Sequence, residues 1–172
     1  DGVEIVGLSG SMSAREQDRA LSDPGDVRRV IVSTAVAESS LTVPGVRLVV
    51  DSGLSREPRL DRDRGMTGLV TVRESRASAI QRAGRAARLG PGVAVRSLRP
   101  QDWSGMDADP APEVDHADLV APLLALAVWG SPRGEGMALP TLLPQDRAAE
   151  AEEELRDLGA VDADGRVTDR GR

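Results

Sequence analysis

The sequence predicts an α/β fold: a parallel sheet with covering helices and a β-hairpin, followed by a small, mainly helical domain. Three observations predict it. The β-branched runs from Arg29 to Ser33 and from Val46 to Asp51 lack apolar–polar alternation, the pattern of strands buried on both faces. Helical segments alternate with such runs through the first hundred residues. After an Asp- and Pro-rich stretch from Gln101 to Glu113, the pattern changes to helices and one short hairpin.

Each element has a local reason. Val3 to Leu8 is a short apolar strand. Ser13-Ala14-Arg15-Glu16 fits a capping box, with Ser13 as N-cap and Glu16 at N3, opening a helix to about Leu21. Asp23-Pro24-Gly25 is a turn. Arg56 to Leu60 and Leu69 to Val72 flank Asp61-Arg62-Asp63-Arg64-Gly65 and read as a hairpin with a charged tip. A helix is expected from Ser75 to Leu89, ended by Gly90-Pro91-Gly92, and then a strand from Val93 to Leu98. Gln101 to Glu113 reads as a linker. Ala117 to Trp129 is an apolar helix in which Pro122 must fall in the first turn or cause a kink. Trp129 reads as core. Gly130 to Pro140 is a loop, and Gln145 to Leu158 is an acidic amphipathic helix. Val161 to Thr168 reads as a hairpin turning at Asp164-Gly165.

Composition narrows the chemistry. The chain has 172 residues, room for one ordinary domain or a truncated one plus a small one. There is no cysteine, which excludes disulfides and thiolate metal sites. With no Phe or Tyr, packing must be aliphatic. No run is apolar and long enough to span a membrane and no secretory signal opens the chain, so a cytoplasmic location without membrane attachment is expected. All 22 basic residues are arginine. Residues 1–100 hold 16 arginines against 12 acidic residues, and residues 101–172 hold 6 against 16. A polyanion is therefore expected along the first segment and not the second.

The densest chemistry lies in Gln81-Arg82-Ala83-Gly84-Arg85-Ala86-Ala87-Arg88. Helical spacing gathers Gln81, Arg85 and Arg88 in one polar row, with Ile80, Ala83, Ala86 and Ala87 mostly on a packing face. Two guanidiniums and an amide suit a phosphoryl group, because arginine forks offer paired donors and glutamine can orient a water. An arginine-rich solvated face is the competing reading of this stretch alone. Arg82 points about a quarter turn away and reads as a structural ion-pair partner. His116 and Trp103 suggest no chemistry.

A second stretch, Ser33-Thr34-Ala35-Val36-Ala37-Glu38-Ser39-Ser40-Leu41-Thr42, follows Val30-Ile31-Val32 and precedes Pro44-Gly45. Together the two stretches resemble motifs V and VI of superfamily 2 helicases, closest to the DEAH-box group and its bacterial HrpB type. The family patterns read roughly S-T-N-I-A-E-T-S-L-T and Q-R-A-G-R-A-G-R. The resemblance implies a partial second RecA-like domain over residues 1–107 and a winged-helix domain over 108–172, each truncated.

The resemblance also implies roles. Gln81, Arg85 and Arg88 match residues that reach the nucleotide γ-phosphate across a domain cleft and act in catalysis. Thr42 matches a nucleotide-side position. Thr34, with Ser33 beside it, matches the contact to the bound strand's phosphate, and Gly10-Ser11 and the hairpin of residues 56–72 match segments lining the nucleic-acid path. Arg56, Arg59, Arg62 and Arg64 would supplement these. Departures are Ala35 for asparagine, Ala87 for the second glycine, Pro44 for an acidic residue at the ribose, and Leu21 for an adenine-facing aromatic. They leave phosphates as the main handle.

No G-x-x-x-x-G-K-[ST] loop or D-E-x-H run is present, so the resemblance implies ATP or another NTP with Mg²⁺ held mainly by the absent first RecA-like domain of the same polypeptide. The expected partner is single-stranded RNA or DNA. The full-length protein is expected to be an NTP-dependent helicase and this fragment alone to be inactive. The alternatives are a non-enzymatic nucleic-acid-binding or regulatory module derived from a helicase half, and a translocase without strand separation.

Overall fold

A computed structural model of the chain describes residues 2–39, 41–61 and 64–172. Ser40 of the second stretch, and Arg62 and Asp63 of the expected hairpin tip, lie outside the described residues. The chain divides into two compact units, one of residues 1–56 and 71–110, the other of residues 57–70 and 111–172.

In the first unit, β1 (Val3–Leu8) pairs in parallel with β2 (Arg28–Ser33), and β3 (Leu48–Asp51) pairs in parallel with β6 (Val93–Arg96). Between β1 and β2 runs α1 (Ala14–Leu21), opened as expected: the Glu16 carboxylate accepts from the Ser13 backbone N–H at 2.9 Å and from its hydroxyl at 2.7 Å. These bonds hold the Glu16 carboxyl below its ordinary range. Val6, Leu8 and Ala20 form the buried core, with Leu21 and Ile31 packed against it. Leu21 thus packs on the core from the position that the resemblance gave to an adenine-facing group.

The first unit's strands are not covered on both faces by the described residues. Ile5, Val30, Val32, Leu48, Val50, Val93 and Val95 are all exposed. Their apolar, mostly β-branched character suits a buried sheet, so one face of each strand pair carries apolar surface open to solvent.

Several boundaries differ from expectation. Leu48, not Val46, opens β3. The hairpin strands β4 (Leu54–Asp61) and β5 (Met66–Arg73) pair with each other and are longer than expected. The Gln101–Glu113 stretch is not all linker. It overlaps α4 (Pro100–Ser104), because Pro100 suits a first helical position and the Asp102 carboxylate accepts from the Arg99 N–H at 3.2 Å. Trp103 in this helix lies under the Arg96 guanidinium, 4.6 Å from its ring centre. α3 (Arg76–Gly84) is shorter than the expected helix ending at Leu89.

The second unit is built on α5 (Val120–Trp129) and α6 (Gln145–Asp157). Its core is Leu119, Leu123, Ala127, Ala148, Ala151, Leu155, Ala160 and Val161. Pro122 falls in the first turn of α5, where its missing N–H costs no helical bond. Trp129 is not core but 79% exposed. The buried stripe of α5 follows Leu119, Leu123 and Ala127, and two more residues rotate Trp129 to the far side. Val161 and Val167 form a single antiparallel bridge, turned at Gly165 with φ +74°. No helix among the described residues is long and apolar enough to cross a membrane.

Candidate functional site

The strand-end residues come together. Leu8 stands opposite Ser33 in the β1–β2 register, and the Thr34 N–H donates to the Leu8 carbonyl at 3.0 Å. Gly10-Ser11 and Ser33-Thr34 therefore leave neighbouring parallel strands at the same carboxyl end, where open α/β sheets present ligand sites. All four residues are exposed. The Ser9 and Ser11 hydroxyls are 3.0 Å apart, and the Ser33 hydroxyl donates to the Thr34 carbonyl at 2.8 Å. A Cβ on Gly10 would meet nothing within 4 Å, so the approach to its backbone is open.

The segment carrying Gln81, Arg85 and Arg88 begins at an N-cap, where the Ser75 hydroxyl accepts from the Ser78 N–H at 3.1 Å. Regular helix ends at Gly84. Beyond it the amides of Arg85, Ala86 and Ala87 donate three residues back, to Arg82, Ala83 and Gly84, at 3.0, 3.1 and 3.3 Å. Glycine is a poor helix former, and the chain tightens into these turns after it. The faces differ from expectation: within regular α3 Ala79 is buried and Ile80 is exposed, and in the tightened turns Ala86 is buried and Ala87 is exposed.

The polar row survives the change. Gln81, Gly84, Arg85 and Arg88 line one open depression of about 360 Å³. Gly84 faces open space, so the floor of the depression lies close to backbone. Gln81 and Arg88 are exposed, and among the described residues neither side chain has a hydrogen bond or ion pair. Arg85 is half-buried and donates to the Leu41 carbonyl at 3.3 Å, which ties it to the second stretch. Thr42, the next residue, is exposed and does not line the depression.

Arg82 turns away from that row into a carboxylate cluster. Its Nε donates to Glu38 at 3.0 Å, and its NH1 donates to Asp51 at 3.1 Å and to the Leu54 carbonyl at 3.0 Å. The same NH1 lies 2.7 Å from a Glu74 carboxylate oxygen. Asp51 and Glu74 are buried. Burial, opposed by Arg82 and reinforced by Asp51, pushes the Glu74 carboxyl up to about 7. Glu38 lies in α2 (Val36–Ser39), a single helical turn.

Residues 1–90 match the family model of the helicase conserved C-terminal domain, and residues 151–172 match that of the winged-helix helicase-associated domain. The chain belongs to the helicase conserved C-terminal domain family. The ATP-dependent RNA helicase HrpB of Escherichia coli (strain K12) is 36% identical over 94% of this chain and 20% of its own length. The human probable ATP-dependent RNA helicase DHX34 is 35% identical over 97% of the chain and 15% of its own length. Two crystal structures of E. coli HrpB match 98% of this helicase segment, with TM-scores of 0.84 and 0.87 at 35% identity. The chain spans about a fifth of the length of these solved chains.

Within this helicase segment the depression fits a phosphate group and not a metal ion. Its lining offers amide and guanidinium donors and no carboxylate, and no group of three or more His, Cys, Asp or Glu residues that could hold a metal occurs among the described residues. A larger groove of about 600 Å³, lined by Val114, Leu126, Trp129 and Leu139 among others, has mainly apolar walls and lacks such donors. Sequence reasoning missed that Glu38, Asp51 and Glu74 share Arg82. Their only signal was position: Asp51 closes an apolar strand, and Glu74 stands between a strand and a helix cap.

Proposed function

We propose that this chain is part of an ATP-dependent nucleic-acid helicase, in which it supplies the motif V and VI half of the NTP site and part of the single-strand groove. The observation that carries the reading is the depression lined by Gln81, Gly84, Arg85 and Arg88. Two guanidiniums converge there beside an amide, and Arg88 has no internal partner among the described residues. In this reading Arg85 and Arg88 neutralise charge spreading onto γ-phosphoryl oxygens, and Gln81 orients the attacking water. Thr42 stands on the nucleotide side.

Gly10, Ser11, Ser33 and Thr34 bind phosphates of single-stranded RNA or DNA at the carboxyl ends of β1 and β2. Such contacts fix position without reading bases. The phosphate cradle and Mg²⁺ ligands would come from a first RecA-like domain of the same polypeptide, and the metal held there would supply neutralisation of phosphate charge. Residues 1–107 are assigned to the second RecA-like domain and 108–172 to the winged helix, in a cytoplasmic protein.

The test is turnover. The isolated chain is expected to hydrolyse no ATP. In the full-length polypeptide, Arg85→Ala and Arg88→Ala are each expected to lower kcat by roughly 10³–10⁵ with little change in nucleotide affinity. Near-normal kcat in both variants would return the arginine row to a solvated surface, and no turnover by the full-length wild type would favour the non-enzymatic module.

A further inference from the structure

Arg82 belongs to the helix that carries the arginine row, yet every bond it makes points to other elements. Through Glu38 it holds α2, which is separated from Ser33-Thr34 only by Ala35. Through Asp51 and the Leu54 carbonyl it holds the end of β3 and the start of β4. Through Glu74 it holds the residue just before the α3 cap. Its side chain is 15% exposed and those of Asp51 and Glu74 are 4% and 0% exposed, so the cluster is shielded from competing water.

The arrangement exceeds what helix anchoring needs. A single buried pair would fix α3, and three carboxylates around one guanidinium cost desolvation that a pair would not. The Oδ2 atom of Asp51 and both carboxylate oxygens of Glu74 are buried without a well-formed hydrogen bond. A second link runs in parallel, from Arg85 to the Leu41 carbonyl. Both links join the segment of residues 38–41 to the helix and turns that carry Gln81, Arg85 and Arg88.

We propose that Arg82 is a positioning residue that couples the nucleic-acid end of β2 to the nucleotide-facing row, using Glu38 as its contact on the strand side. The inference rests on the proposed function and deepens it. A shift of α2 on strand binding pulls on Glu38, and the planar guanidinium transmits that shift to α3 because its forked donors fix its orientation. Neither Arg82 nor Glu38 touches nucleotide or strand in this scheme.

The experiment uses the full-length polypeptide, with ATP turnover measured with and without saturating polyuridine RNA. The variants are Glu38→Ala and Arg82→Lys, since lysine keeps the charge but loses the fork. Expected is near-normal unstimulated turnover and ATP KM, with RNA stimulation reduced by roughly 5–150-fold, the range of ordinary coupling between sites. Thermal melts check folding. Normal stimulation in both folded variants would overturn the proposal, as would an equal fall in stimulated and unstimulated rates, which marks a purely structural cluster. Failure of either variant to fold would make the cluster a folding element and would also overturn it. Arg88→Ala run alongside separates the two readings. If it abolishes turnover while the Glu38 and Arg82 variants respond normally to RNA, only the coupling fails; if it turns over normally, the proposed function and the coupling fail together.

Discussion

Replacing Glu152 by glutamine should remove a large, pH-dependent share of the second unit's stability. Glu152 is only 4% exposed, on α6. Its Oε1 accepts from Arg133 NH2 at 2.6 Å and from Arg156 NH2 at 3.1 Å, and its Oε2 accepts from Arg133 Nε. Chiefly through the Arg133 bond, the Glu152 carboxyl is held down at about 2, against an ordinary 4.5. That difference corresponds to about 3 kcal/mol at neutral pH. Water beside the half-exposed Arg133 screens part of it, so the figure is an upper bound. Arg133 also has φ +57°, unique among described non-glycine residues, and the carboxylate helps to hold that strained backbone in place.

The sign is set by the lowered pKa. The contribution is complete above the unfolded value of 4.5 and disappears as pH falls through about 2. Native-state amide exchange at Ala148 and Ala151 in α6 reads it. At pH 7, Glu152→Gln should lower the opening free energy by up to about 3 kcal/mol, and at pH 3 by less than half of that. An unchanged opening free energy at pH 7, or a loss equal at both pH values, would refute the electrostatic account.

Glu74 titrates in the opposite sense: with its carboxyl raised from 4.5 to about 7, its contribution is complete below 4.5 and is lost as pH rises through about 7. The opening free energy for amide exchange at Ala79 in the first unit should fall over that window, and Glu74→Gln should flatten the profile; an unchanged slope in the variant would contradict the assignment. Gly92→Ala should destabilise the turn after the arginine row by about 1–3 kcal/mol, because a Cβ there would lie 2.0 Å from the Ala86 carbonyl oxygen. Thermal melting checks this, and an unshifted transition would contradict it. Binding of a fluorescent single-stranded oligonucleotide to the chain should be weak, tolerant of base sequence and steeply salt-dependent, with Thr34→Ala reducing it. Affinity unchanged between 50 and 300 mM salt would contradict phosphate recognition.

Patterns set by neighbouring residues were legible in the sequence. The Ser13–Glu16 box and the parallel strands follow from spacing alone, and each is present; Pro122 left open a first-turn position or a kink, and the start of α5 at Val120 decides for the first turn. The row Gln81, Arg85 and Arg88 was legible too, although it wraps a helix end and not a helix middle. A periodicity argument assumes 3.6 residues per turn throughout, whereas Gly84 ends that regularity and turned Ala87 outward. Trp129 shows the same limit from another side: an apolar residue on an apolar helix is core only if its angle matches the buried stripe. The Arg82 cluster was half legible. One arginine pointing away from the row implied an ion pair, but its three carboxylates lie 44, 31 and 8 positions away in sequence, and only the fold brings them together.

The central claim is that Arg88 acts on charge that develops in phosphoryl transfer. The most direct measurement compares affinities of the full-length polypeptide for ADP and for ADP with aluminium fluoride and Mg²⁺, in wild type and Arg88→Ala. A group complementary to the transition state should matter little to the first ligand and greatly to the second. The account predicts ADP affinity changed by less than about threefold and analogue affinity weakened by about 100-fold or more. Equal weakening of both ligands, or none of either, would contradict it.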